Sequence, residues 1–108
     1  MKILLTSLLI FISFSSNAFT GNELYGHLKE GKKIDQESYF SGLYQGYVLG
    51  VTDGLIEIRL ICYSDGVTNK QIFDIVGKYL KNNLEVRNVP ASNLIYRSLK
   101  GLYPCKKE

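Results

Sequence analysis

Tryptophan is absent, histidine occurs once, and proline and cysteine occur twice each in 108 residues. With His27 alone and no ligand-type residues beside it, a zinc or other transition-metal centre lacks nitrogen and sulfur donors. His27 therefore reads as a surface or packing residue, and neither metal nor cofactor is expected. There is no glycine loop of the kind that cradles phosphate and no nucleophile elbow. Thirteen basic against ten acidic residues leave a formal charge of only +3, too little for a nucleic-acid footprint. No apolar run approaches the roughly 20 residues of a membrane span. Strand-like alternation is also missing, although the β-branched stretch from Ile56 to Ile61 comes nearest to it.

What is present begins with a leader. Met1-Lys2 gives a positive end, Ile3 to Phe14 form a short apolar segment, and Ser15-Ser16-Asn17-Ala18 offers a small-x-small cleavage site. Residues 1–18 are expected to be a signal peptide, leaving one exported domain over 19–108. In an oxidising compartment, Cys62 and Cys105 are expected to form one intrachain disulfide, with an intermolecular bridge as the alternative. Closing a loop of that length is worth roughly 4 kcal/mol in the chain-entropy model.

The periodicities predict an all-α domain, a compact bundle of about four helices. Thr20 and Glu23 make a capping box, followed by Leu24, Tyr25 and Leu28 on one face and a break at Gly31. Asp35 can cap a long helix running to about Cys62, which ends in the turn Ser64-Asp65-Gly66. Thr68 and Gln71 form a second capping box ahead of Ile72, Phe73, Ile75, Val76, Tyr79 and Leu80. Pro90 opens a last amphipathic helix bearing Ala91, Leu94, Ile95, Leu99 and Leu102.

Gly42, Gly46, Gly50 and Gly54 fall four apart and form one stripe on the long helix. Each costs about 1 kcal/mol relative to alanine in a helix interior, so the bare backbone should serve a purpose. The stripe packs either against another helix of the same chain around a central position, or against a second copy in a homodimer. Asp53 and Glu57, one turn apart, resemble a carboxylate pair but read as a solvated patch. Eight tyrosines suit an interface. Of these, Tyr47 and Tyr79 read as core, and Tyr63 is either a contact residue or a cap on the disulfide. The turn Tyr63-Ser64-Asp65-Gly66, preorganised between Cys62 and the Thr68 cap, is the candidate partner-binding segment, with Asn82 to Asn88 second. Lys29-Lys32-Lys33 and Lys100-Lys106-Lys107 are basic clusters that read first as solvated surface.

Read together, Thr20-Gly21-Asn22-Glu23-Leu24, Gly46-Tyr47 through Gly50-Val51 to Asp53-Gly54, Ile61-Cys62, Asp65-Gly66-Val67-Thr68, Lys78-Tyr79-Leu80, Pro90-Ala91 and Tyr103-Pro104-Cys105 resemble the Rap/Tai family of type VI secretion immunity proteins. The resemblance covers essentially the whole of 19–108. It implies a periplasmic, non-catalytic helical protein, dimeric in many members, that binds a secreted peptidoglycan amidase effector and obstructs its cleft with a loop or helix edge. Members often carry a second cysteine pair where this chain has Leu28 and Tyr44, so an apolar Leu28–Tyr44 contact is expected instead. The readings from a different class are a periplasmic stress chaperone, with Asp53 as its acid-sensitive carboxylate, and an accessory subunit of an envelope assembly.

Overall fold

A computed structural model describes residues 19–32 and 37–106, so the leader, the Asp35 cap, Lys33 and Lys107 lie outside the described residues. The described residues form four α-helices: α1 (Gly21–Glu30), α2 (Glu37–Glu57), α3 (Asn69–Asn82) and α4 (Ala91–Leu99). A single 3-10 turn, Leu84–Val86, joins α3 to the approach of α4, and no strand occurs among the described residues.

Helix α1 starts where its capping box demands. The Glu23 amide donates to the Thr20 hydroxyl, and the Thr20 amide donates back to the Glu23 carboxylate, each at 3.2 Å. Its first turn is then fastened to the segment before α4. The Gly21 amide donates to the Val89 carbonyl at 2.9 Å, Asn22 to Arg87 at 2.7 Å, and Ala91 to Phe19 at 2.7 Å. That close approach explains Gly21, where a Cβ would overlap the Leu94 side chain and stand 2.9 Å from the Arg87 carbonyl oxygen.

Helix α3 is amphipathic and is opened by the matching Thr68–Gln71 box, with Ile72, Val76 and Leu80 buried along one face. Helix α4 buries Ala91, Leu94, Ile95 and Leu99. Leu24 of α1, Val48 of α2 and Ile61 complete a core from which water is fully excluded. Leu102, expected on the last helix, lies beyond its end and is 60% exposed.

Helix α2 differs from the predicted element in two respects. It ends at Glu57, five residues before Cys62. The Leu60 amide donates to the Leu55 carbonyl at 2.9 Å and the Arg59 amide to Ile56 at 3.0 Å. This is the bond pair of a Schellman cap, with Arg59 in the left-handed region at φ 60°. The β-branched run thus continues as cap and extended chain rather than as helix. The glycine stripe also faces the other way. Tyr44, Val48 and Thr52 carry the buried face, whereas Gly42, Gly46, Gly50 and Gly54 are exposed, with nothing among the described residues within 4 Å of where their Cβ atoms would stand. No described helix of this chain packs on the stripe, contrary to the first of the two expectations. Glycines four apart share a face, and here that face is offset by two positions, about 160° around the helix, from the one that carries the buried side chains.

Leu28 and Tyr44 do come together. Both converge on Gly77 of α3, Leu28 Cδ2 and Tyr44 Oη standing 3.0 and 3.3 Å from the position of a Cβ there. The Tyr44 hydroxyl donates to the Phe73 carbonyl at 2.6 Å, so this junction joins α1, α2 and α3.

Candidate partner-binding surface at the disulfide

Cys62 and Cys105 are bonded, with 4.9 Å between their Cα atoms, and close a span of 43 residues. The Cys62 amide donates to the Tyr103 carbonyl at 2.9 Å, so the C-terminal segment is laid against the chain leaving α2. Bridge and hydrogen bond together fix the start of the turn Tyr63-Ser64-Asp65-Gly66. Ser64, Asp65 and Gly66 are exposed, and Gly66 has φ 86°, a conformation that a side chain would strain.

Tyr63 is half-buried rather than displayed. Its ring meets Tyr103 edge-on with centroids 5.4 Å apart. Its hydroxyl is enclosed near the Thr52 hydroxyl, which itself donates to the Leu49 carbonyl at 3.0 Å, and no hydrogen bond to it forms among the described residues. Burial pushes the phenol pKa up; the nearby Thr52 hydroxyl partly offsets this, while Asp53 and Tyr103 add to it. Tyr63 thus packs on Tyr103 beside the disulfide, and Ser64, Asp65 and Gly66 are the exposed residues of the turn.

Beside the turn lies a cleft of about 430 Å³ lined by Arg59, Cys62, Tyr63, Ser64, Asp65, Pro104 and Lys106. Arg59 is the residue that sequence reasoning missed. A left-handed conformation costs a non-glycine residue roughly 1–2 kcal/mol, and glycine is the usual occupant of this cap position. An exposed arginine is kept there instead, with its side chain on the wall of the cleft. The only sequence signal was a charged residue between Ile58 and Leu60, which does not distinguish a cap from a helix interior.

The remaining expected positions are more scattered. Asp53 and Glu57 are exposed, so Asp53 is not a buried carboxylate. His27 meets Phe19 edge-on and stacks on Phe40, with centroids 4.9 and 5.7 Å away. In the segment 82–88, Leu84 is 66% exposed on the 3-10 turn. Tyr47 and Tyr79 pack against the core but are only half-buried; Tyr44, not singled out as core, is buried. No group of three His, Cys, Asp or Glu among the described residues could hold a metal ion. No described helix is long and apolar enough to cross a membrane.

Fold and cleft define a small, all-α, disulfide-closed protein with a shaped surface at its stapled end. The chain belongs to the Rap1a immunity proteins, whose family profile matches residues 20–105. Membership makes it an immunity protein, the kind of protein that binds a cognate effector. No curated relative and no solved structure matches the chain.

Proposed function

We propose that this chain acts in the periplasm, where it binds a peptidoglycan amidase delivered by type VI secretion and blocks its cleft sterically rather than by catalysis. Family membership over residues 20–105 is the observation that carries this reading. The disulfide is in keeping with an oxidising compartment. Contact is assigned to Ser64, Asp65 and Gly66, together with Arg59 and Lys106 on the same cleft. A turn held by a covalent bridge on one side and a helix cap on the other loses little entropy on docking. The open glycine face of α2 supports pairing of two copies along that helix. The acid-triggered chaperone reading loses its carboxylate, since Asp53 already faces solvent.

The test is co-purification of residues 19–108 with the product of the adjacent gene, followed by hydrolysis of purified peptidoglycan with and without the bound chain. A stoichiometric complex that silences cleavage is expected. Arg59→Gly sharpens the experiment. Relief of the left-handed strain should leave stability equal or higher by about 0.5–1 kcal/mol, while affinity for the effector falls. Full affinity in Arg59→Gly would remove the cleft from the interface, and no complex with any amidase would remove the function.

A further inference from the structure

The fold gathers lysines that the sequence scatters. Lys29 and Lys32, at the end of α1, face Lys78 and Lys81 of α3 across a groove of about 370 Å³. The groove continues into a second of about 590 Å³ that adds Lys70 and is bounded by Ser41, Tyr44 and Gln45 of α2. Five lysines therefore border one continuous depression, and Asp74 is the single carboxylate among its described lining residues. Asp74 is already engaged, accepting from Lys70 Nζ at 2.9 Å. Lys29 lies over the Tyr25 ring at 5.1 Å. Among the described residues no carboxylate pairs with Lys29, Lys32, Lys78 or Lys81.

The attraction of lysines to helix C-termini accounts for Lys29 and Lys81, which sit in last turns. It does not account for Lys32 beyond α1 or for Lys78 in the body of α3. Nor does it explain why a domain of nearly balanced charge collects one sign at one place. The floor is apolar: Leu28 and Phe73 line it, and Leu28 packs closely on Gly77. Unpaired cations on flexible stems around an apolar floor match a chain segment that carries an apolar side chain between carboxylates. A flat anionic bilayer would meet the lysine heads and never reach Leu28 or Phe73.

We infer that the α1–α3 groove is a docking site for an acidic segment of the cognate effector, separate from the surface at the disulfide. The inference rests on the immunity reading and adds to it a second contact, of stated chemistry. The exposed Lys70–Asp74 pair holds the groove open to exchange, because a surface pair spaced four apart contributes little and Lys70 can turn to an incoming carboxylate.

The experiment is a titration of the full mature chain with the purified effector at about 50 and about 300 mM salt, spanning strong and weak screening. Wild type, Lys78→Glu/Lys81→Glu and Lys78→Arg/Lys81→Arg are compared, each first checked for an unchanged thermal transition. The charge reversal should weaken binding roughly tenfold or more at low salt and flatten the salt dependence, while the arginine variant stays within about twofold of wild type. An intact complex that ignores the reversal overturns the groove and leaves the immunity reading standing. Failure of wild type to bind any effector overturns both. A reversal that instead abolishes sedimentation with phosphatidylglycerol vesicles, with effector affinity unchanged, replaces the protein segment with a membrane surface and so overturns the proposal.

Discussion

Tyr44 meets two opposed demands, since its ring is 2% exposed in the core while its hydroxyl must be satisfied. The 2.6 Å bond to the Phe73 carbonyl resolves them. Burial, with Asp74 adding a smaller contribution, drives the phenol pKa far above its ordinary value. The unfolded phenol ionises near 10, whereas the folded one keeps its proton well beyond that. Above about pH 10 the native state thus binds more protons than the unfolded chain, and stability must fall as pH rises. Urea unfolding between pH 8 and 11 should show the decline approaching about 1.4 kcal/mol per pH unit from this group. Tyr44→Phe should lose about 1 kcal/mol at pH 8 through the missing hydrogen bond, yet decline less steeply above pH 10. Equal slopes in the two proteins would mean that Tyr44 is not the group responsible.

At the scale of the element, α2 shows where sequence reading succeeds and where it stops. The capping boxes of α1 and α3 were legible because each is a local exchange between residues three apart. The register of the glycines was legible for the same reason. Their direction was not: the polar residues of α2 are split between the buried Thr52 and the exposed Gln45, Asp53 and Glu57, so no single polar face marked the outside. Its end was equally hidden, because Arg59 occupies a cap that glycine usually announces. The lysine groove depends on the packing of α1 against α3, which no local pattern encodes. Because a methyl at Gly46 or Gly50 meets nothing among the described residues within 4 Å, Gly46→Ala/Gly50→Ala should stabilise the isolated chain by up to about 2 kcal/mol. In a pair of copies packed along the stripe, the same methyls hold the helices apart. Thermal melting at low protein concentration should therefore rise while sedimentation equilibrium reports weaker self-association. Unchanged self-association would place any dimer contact elsewhere.

Over the whole molecule, the bridge Cys62–Cys105 ties the exit of α2 to the segment after α4. Those two places are far apart in sequence, and everything between them, α3 and α4 included, lies inside the closed span. A domain this small buries limited apolar area, so a covalent restraint on its unfolded chain is a large fraction of its stability. A closed span of 43 residues contributes roughly 4 kcal/mol by chain entropy. Cys62→Ser/Cys105→Ser should lose roughly that amount in denaturant unfolding. The core on Leu24, Val48, Ile72 and Leu94 draws on all four helices and does not include the sulfurs, so helical circular dichroism should persist at low temperature. The function should suffer sooner than the fold. Tyr63 and the turn that follows it depend on Cys62 being held, so effector affinity in the serine variant should drop even at temperatures where the helices are intact. The lysine groove, bordered by α1, α2 and α3 and distant in sequence from Cys105, should keep its salt-dependent share of binding. A serine variant that binds as tightly as wild type at low temperature would show that the preorganised turn contributes nothing to recognition and that the groove dominates.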